Sequence, residues 1–507
     1  MTIHEHLAVS RLTELPTEDE QQRFTRLGID MDALGRPLHP WRNQIPNLVD
    51  TKGELWNWGP NYTVDPIVIT NDSTPMLLLI KRGDCGQWAL PGGFIDAGEE
   101  PVDAARRELS EETHLVLSPS GSDATVCYQG PVHDRRSTLY AWPETASVLI
   151  HTPNQPISAG DDAADAQWIP LKNVRSLEGL YGSHATLVDM AIRDNGSLSE
   201  QLEYYGESSD IAQPKGGHMG YTRLVASLPT GKRVFIKRHD AHKFTDTARA
   251  EHSKHYLHKE HHVYQQLAGV SPHVPQQVEL RDDHTLLLEA YDPRDGWHWK
   301  APTDLDERRH YIEDIVGALR SIEPATYESF PDVKPSYHTI VDEGWGDYPA
   351  NRGRIIDKLT QSSVSGASEL AENLDALYEQ ATSLPVPELT HFAHYDIRQS
   401  NLTWHPEHGV RIVDWSWADH APRGMDITNF LIDLTKAGHA IDEHLGDFNP
   451  DHALMLIGFW LGHSTWPTPT SDQTVREHQI GSAVAAYQLL KRFSKEDQRV
   501  FARSSND

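Results

Sequence analysis

The chain has 507 residues, enough for two or three domains that each bury a core, and its 74 acidic against 45 basic side chains leave a formal charge of −29. That charge sets it against general nucleic-acid binding, because a polyanion is repelled unless a strong local basic patch faces it. No stretch is long and apolar enough to span a membrane, two cysteines cannot frame a disulfide scaffold, and Met1 to Pro16 lacks a basic-then-apolar signal pattern, so a cytoplasmic, reduced protein is expected.

In chain order, the first 35 residues are polar and acidic, with weak helical character around Glu18 to Leu27. Gly35 to Pro60 is irregular and aromatic-rich; Trp56, Trp58 and Tyr62 either stack on an adenine or pack the edge of a domain. Ile67 to Thr70 and Met76 to Lys81 read as strands turned by Asn71-Asp72, followed by a loop over Arg82 to Gln87. Ala146 to His151 and Ala166 to Pro170 are later strands, and Leu180 to Asp194 a closing helix.

Between these lies GFIDAGEEPVDAARRELSEETHL, Gly93 to Leu115. Gly92, Gly93 and Gly98 punctuate a loop, Pro101 suits the first turn of a helix, and Ala104, Ala105 and Leu109 continue it. Residues three and four apart share a helix face, so Glu108, Glu111 and Glu112 converge, within reach of Glu99 from the loop. Carboxylates crowded this way repel one another unless a cation sits among them, and hard oxygen donors suit Mg²⁺ or Mn²⁺.

The spacing resembles the Nudix box, Gly-x5-Glu-x7-Arg-Glu-U-x-Glu-Glu-x-Gly-U, with His114 at the final glycine position, where a left-handed cap would stand. WGPNYTVDPIV, LLIKRGDCGQWALPGGFIDAGE, HDRRSTLYAWPET and AGDDAADAQWIPL look like the ADP-ribose pyrophosphatase branch over residues 36 to 192. The resemblance implies an α/β/α sandwich that hydrolyses ADP-ribose to AMP and ribose 5-phosphate with Mg²⁺. Glu108 and Glu112 are then the preferred metal ligands, assisted by Glu99 or Glu111, and Glu111, Asp161 or Asp162 takes the proton. Arg107 orients the carboxylates or touches substrate.

Asp194 to Gly217 is polar and glycine-rich and reads as a linker between a first domain over 1–193 and a second over 218–507. In the second domain His394-Tyr395-Asp396 is followed by Asn401, and Asp414 closes an aliphatic strand. Phosphoryl transfer needs a carboxylate for the hydroxyl proton, which suits Asp396, and oxygen ligands for Mg²⁺ on the nucleotide, which suits Asn401 and Asp414. Lys237, ending Val234-Phe235-Ile236-Lys237, would meet the phosphates, and Glu260 on the following helix is placed to pair with it. The histidines at 258, 261 and 262 lie on that polar helix and read as surface residues.

This order resembles the aminoglycoside phosphotransferase branch of the protein-kinase-like fold over about residues 215 to 500, with Asp414-Trp415 in place of Asp-Phe-Gly and Asp426 matching a structural aspartate. Arg398 and the stretch Gly216-Gly217-His218-Met219-Gly220 depart from the pattern. The resemblance implies a bilobal domain using ATP on a small hydroxyl acceptor, hinged at Leu286 to Tyr291, with backbone near Glu289 and Tyr291 meeting the adenine. The alternative is a non-catalytic nucleotide-binding regulator of a Nudix hydrolase acting on another nucleoside diphosphate derivative.

Overall fold

A computed structural model describes residues 15–117, 124–160, 163–206, 221–241, 247–331, 334–468 and 474–504. The chain forms two compact units, one over Met1–Ser208 with Leu228–Gly231, the other over Ser209–Ser227 and Lys232–Asp507. Among the described residues no helix is long and apolar enough to cross a membrane.

In the first unit, helix α1 (Glu18–Arg26) opens on a capping box from Thr17 and Glu20 and buries Phe24 against Trp58 and Tyr140. Strands β1 (Gly59–Thr70), β2 (Met76–Arg82), β3 (Trp88–Ala89), β4 (Gly93–Phe94), β5 (Ala124–Pro131), β6 (Ala141–Thr152) and β7 (Ala163–Pro170) make one mixed sheet. Its spine is β3-β2-β1-β6-β5, with β1 and β6 parallel, β4 on β1 and β7 on β2. Strand alternation divides the side chains between two faces. Val64, Val68, Leu78, Val148 and Ile150 pack under Ala104, Ala105 and Leu109 of α2 (Pro101–Thr113). Ile67, Ile69, Leu77, Leu79 and Leu149 pack under Leu187, Val188, Ala191 and Ile192 of α3 (His184–Asn195). Two buried faces, each covered by a helix, make the α/β/α sandwich.

Three elements differ from the sequence reading. β1 starts eight residues before Ile67, although Pro60 and Pro66 lie within it; both prolines face β6 in the parallel register. The closing helix starts at His184, after left-handed turns at Gly179 and Gly182. The supposed linker holds a further helix, α4 (Leu198–Tyr205), whose Ser197 and Glu200 form a capping box and whose Leu198, Leu202 and Tyr204 are buried.

The second unit opens with a four-stranded antiparallel sheet of β8 (Thr222–Ser227), β9 (Arg233–Arg238), β10 (Val278–Arg281) and β11 (Thr285–Glu289), in the order β10-β11-β9-β8. Helix α5 (Thr247–Leu267) buries Leu257, Val263, Tyr264 and Leu267 in the same core as Leu286 and Leu288 of β11. A mainly helical lobe follows, built on α6 (Leu305–Ile322), α7 (Met425–Lys436), α8 (Pro450–Ser464) and α9 (Val475–Ser504). It carries two short strand pairs, β12 (His391–Ala393) with β15 (Asp419–Ala421), and β13 (Leu402–His405) with β14 (Gly409–Ile412). A small sheet lobe and a larger helical lobe give the kinase-like architecture.

Candidate functional site

The acidic site of the first unit is set by two glycines. Gly92 lies at φ 152°, and a Cβ there would stand 2.1 Å from the Val64 carbonyl oxygen, so the loop can press against β1 only without a side chain. A Cβ on Gly93 would meet Glu108 Oε1 at 2.6 Å; its absence lets that carboxylate lie against the loop. The Gly92 N–H donates to Glu112 Oε2 at 2.9 Å. Glu108 and Glu112, one turn apart on α2, thus both meet this loop.

Arg107 gathers the other acids. Its Nε and Nη2 donate to Glu99 Oε1 and Oε2 at 3.0 and 2.9 Å, and Nη1 reaches Glu108 Oε1 at 2.7 Å and Glu111 Oε2 at 3.1 Å. Its Nη2 also donates to the Phe94 carbonyl at 3.0 Å, pinning the loop to the helix. Burial pushes the Glu108 carboxyl above the usual carboxylate range, even against Arg107, whereas the hydrogen bond from Arg107 holds Glu99 below it.

Among the described residues no three acidic, histidine or cysteine side chains form a ready cation cage. Arg107 stands between Glu99, Glu108 and Glu111 instead. The donors nevertheless fit a hard divalent ion in kind: Glu108 and Glu112 offer carboxylate oxygens on adjacent turns, and one guanidinium leaves four carboxylates with excess negative charge.

His114 ends α2 in the left-handed conformation, φ 56°, its N–H donating to the Ser110 carbonyl at 3.2 Å. A glycine would adopt this more easily. Here the loop after β6 supports the helix end: Ser158 N–H donates to the Thr113 carbonyl, Gly160 N–H to the Glu112 carbonyl, and His114 Nδ1 bonds to Ser158. Asp161 and Asp162, which follow this loop, lie outside the described residues.

On the other side of Gly92 and Gly93 opens a cavity of about 90 Å³, lined by residues the sequence reading did not single out: Asp65, Arg82, Asp134, Arg136, Tyr181 and His184. Arg136 is forked onto Asp134 at 2.9 and 2.8 Å, and Arg82 lies 4.3 Å over the Tyr181 ring. His184 Nδ1 accepts the Leu90 N–H at 2.8 Å, which places the ring proton on Nε2, toward Asp65 Oδ1 at 3.5 Å. The stretch HDRRS held the signal for Asp134 and Arg136; nothing local marks His184. Of the aromatics, Trp58 is buried, whereas Trp56 is 79% exposed and lies 6.5 Å from Phe94.

In the second unit, Lys237 Nζ donates to Glu260 Oε2 at 2.6 Å and to Asp414 Oδ1 at 2.9 Å. Burial works to lower the lysine's pKa, but Asp414 and Glu260 outweigh it and hold it raised; against the partial burial of Asp414, Lys237 in turn holds that carboxyl well below the usual range. Asp414 sits at φ 67°, its N–H on the Tyr264 hydroxyl at 3.1 Å. His394 Nε2 is 2.9 Å from the Val413 carbonyl, and its Nδ1 accepts the Asp396 N–H at 3.2 Å, so one neutral imidazole ties the loop of Asp396 to the strand before Asp414. Asp426 accepts the N–H groups of His394 and Tyr395 at 2.6 and 3.0 Å, and burial pushes its pKa up to about 7. Asn401 Nδ2 donates to Asp396 Oδ2 at 3.0 Å and to its carbonyl at 2.8 Å. Arg398 pairs with the same Oδ2 at 3.0 Å.

Lys237, Asp396 and Asp414 line one cavity of about 420 Å³. Glu289 and Tyr291 do not line it: the Tyr291 hydroxyl donates to Glu289 Oε2 at 2.9 Å, and the Tyr291 carbonyl is taken by Trp299 Nε1 at 2.8 Å. The Ala290 N–H donates to the Arg233 carbonyl at 3.0 Å. Much of the hinge's hydrogen-bonding capacity, expected from sequence to meet an adenine, is therefore satisfied within the fold. Nor do the histidines of α5 form a metal site: His258 Nε2 bonds the Asp283 carbonyl and His262 Nε2 the Glu328 carbonyl.

The NUDIX domain family matches residues 61–190, and the phosphotransferase enzyme family, APH, matches residues 229–455. Over 205 residues the chain is 32% identical to the mitochondrial ADP-ribose pyrophosphatase of Rattus norvegicus, covering 33% of this chain and 57% of that protein. Over 121 residues it is 33% identical to the ADP-ribose pyrophosphatase of Methanocaldococcus jannaschii, covering 23% of this chain and 66% of that protein. The chain thus spans less than two thirds of the length of these curated relatives. Among solved structures, the NUDIX domain of Shewanella oneidensis NrtR complexed with ADP ribose matches at 23% identity and a TM-score of 0.23, over 35% of this chain and 97% of that one. The chain belongs to the Nudix hydrolase family, with ADP-ribose pyrophosphatases among its relatives, and carries a phosphotransferase-family domain of kinase-like fold behind the Nudix domain.

Proposed function

We propose that the chain is a bifunctional enzyme: a Mg²⁺- or Mn²⁺-dependent ADP-ribose pyrophosphatase releasing AMP and ribose 5-phosphate, joined to an ATP-dependent phosphotransferase acting on a small hydroxyl compound. The observation that carries the first half is the hold of the Gly92-Gly93 loop on Glu108 and Glu112. Glu108 and Glu112 would hold the cation, and Glu99 and Glu111, tied to Arg107, would assist. When bound, such an ion neutralises the diphosphate and acidifies a water. Glu111 is the more exposed acid of the cluster and suits the proton acceptor, with Asp162 the other candidate. Arg107 positions these acids. The exposed Trp56 beside Phe94 offers a flat apolar surface for a base.

In the second half Asp396 would accept the hydroxyl proton, while Asn401 and Asp414 would hold Mg²⁺ on the nucleotide phosphates and Lys237, fixed by Glu260, would face them. Product analysis of the full-length protein given ADP-ribose, ATP and Mg²⁺ tests both halves. The expected products are AMP and ribose 5-phosphate from the first, and ADP with a phosphorylated acceptor from the second. Intact ADP-ribose after prolonged incubation would refute the first assignment.

A second reading, a nucleotide-binding regulator without turnover, draws support from the ion pair of Arg398 with Asp396, which occupies the Oδ2 oxygen that would face an acceptor hydroxyl. It requires ATP binding with no ADP formed against any acceptor, unchanged by Asp396→Asn.

A further inference from the structure

The cavity of the second unit has a chemically selective lining beyond the nucleotide-facing residues. Besides Lys237 and Arg223 it is lined by two further arginines, Arg398 and Arg476, and by the rings of Trp417, Phe459, Trp460 and Trp466. Arg398 engages Asp396 through Nη2, and its Nε, closed off from solvent, has no hydrogen-bond partner among the described residues. Arg476 is held by neutral groups: Nη1 donates to Gln479 Oε1 at 3.0 Å and Nη2 to the Pro467 carbonyl at 2.6 Å. Its Nε likewise has no partner among the described residues.

A guanidinium lodged beside a cavity without a counter-charge is costly to desolvate, and an incoming oxyanion offsets that cost through charge-assisted, forked hydrogen bonds. The remaining carboxylate of this wall, Asp433, is already engaged, its Oδ2 accepting the Gln399 N–H at 2.9 Å and Nε2 at 3.2 Å. The aromatic rings suit a carbon skeleton. Rings alone would also suit an ammonium group, but Arg476, held by neutral groups in the same lining, repels one.

We infer that the acceptor is a small hydroxyl compound carrying an anionic group, a carboxylate or a phosphate, which Arg476 and Arg398 hold while its hydroxyl faces Asp396. This rests on the phosphotransferase reading above. In the transfer, the hydroxyl proton passes to Asp396, the hydroxyl oxygen bonds to the γ-phosphorus of ATP, and the bond from that phosphorus to the β,γ-bridging oxygen breaks. ADP leaves with the bonding pair.

The test uses the full-length protein with ATP, Mg²⁺ and four acceptor sets: neutral sugars, amino alcohols, hydroxycarboxylates and sugar phosphates. Transfer to one of the two anionic sets is expected, and which one identifies the anion. Arg476→Gln should raise the acceptor KM about 10- to 100-fold with kcat and the KM for ATP unchanged, and Arg476→Lys should recover part of the loss. Unchanged thermal unfolding of the lysine variant serves as the control for folding. Transfer only to neutral or cationic acceptors, or an acceptor KM indifferent to Arg476→Gln, would overturn the inference and leave the phosphotransferase reading standing. No ADP from any set would overturn both.

Discussion

The two sites meet one electrostatic problem to different degrees. In the second unit Lys237 is 3% exposed and meets two carboxylates, Glu260 and Asp414, at ion-pair distance, so one negative charge is left over. In the first, a single guanidinium on Arg107 serves Glu99, Glu108 and Glu111 with Glu112 close by, and negative charge is left over. A buried cluster with so small an excess holds Lys237 in position through its two partners. An unbalanced half-exposed one keeps a standing demand for a cation.

That contrast breaks most sharply if each site is emptied of one carboxylate. Glu112→Gln should lower ADP-ribose hydrolysis about 10²- to 10⁴-fold, and Asp396→Asn should lower phosphoryl transfer by a similar factor, each leaving the other activity intact. Product assays on both variants check this, and a variant that silences both reactions would contradict the independence of the sites. Next in size are the two glycines. Gly93→Ala collides only with the far end of Glu108, so the fold should hold while hydrolysis falls about 10²-fold through misplacement of that carboxylate. Gly92→Ala collides with the Val64 carbonyl and should instead cost about 1–3 kcal/mol of stability, read by denaturant unfolding.

A third test concerns a buried cation, Lys259, which is 1% exposed and whose Nζ has no hydrogen-bond partner among the described residues. Burial lowers its pKa from 10.5 to about 8, with Asp419 opposing. Between those values the unfolded chain binds the proton that the folded one has released, so stability should rise as pH goes from about 8 to 10.5. Unfolding of the natural protein and of Lys259→Met across that range should show the steeper rise in the former, Lys436, also lowered to about 8 by burial, contributing equally to both. The smallest effect is expected at His114: replacement by glycine relieves the left-handed strain but removes the bonds to Ser158, for a net change of about 1 kcal/mol or less.

Much of the sandwich is legible because continuous aliphatic runs and the glycine-rich loop before an acidic helix are local signals. What escaped was signalled more weakly or not at all. The stretch up to Pro60 reads as irregular and the strand as starting at Ile67, yet β1 begins at Gly59 and runs through Pro60 and Pro66. The Ser197 and Glu200 capping box was present in SLSE but hidden by the polar composition around it. The adenine contacts expected of backbone near Glu289 and Tyr291 rest on the family resemblance, and the structure gives one of those groups, the Tyr291 carbonyl, to Trp299.

By itself the sequence determined which acids lie on one helix face, the order Lys237, Glu260, Asp396, Asn401, Asp414, and the two families to which these belong, since spacing along a chain carries that information. Only the tertiary structure decided that Arg107 stands among the glutamates, that Lys237 reaches Asp414 across 177 positions, and that Arg476 shares a cavity with Asp396. Such contacts depend on how distant segments pack, and no local periodicity encodes them.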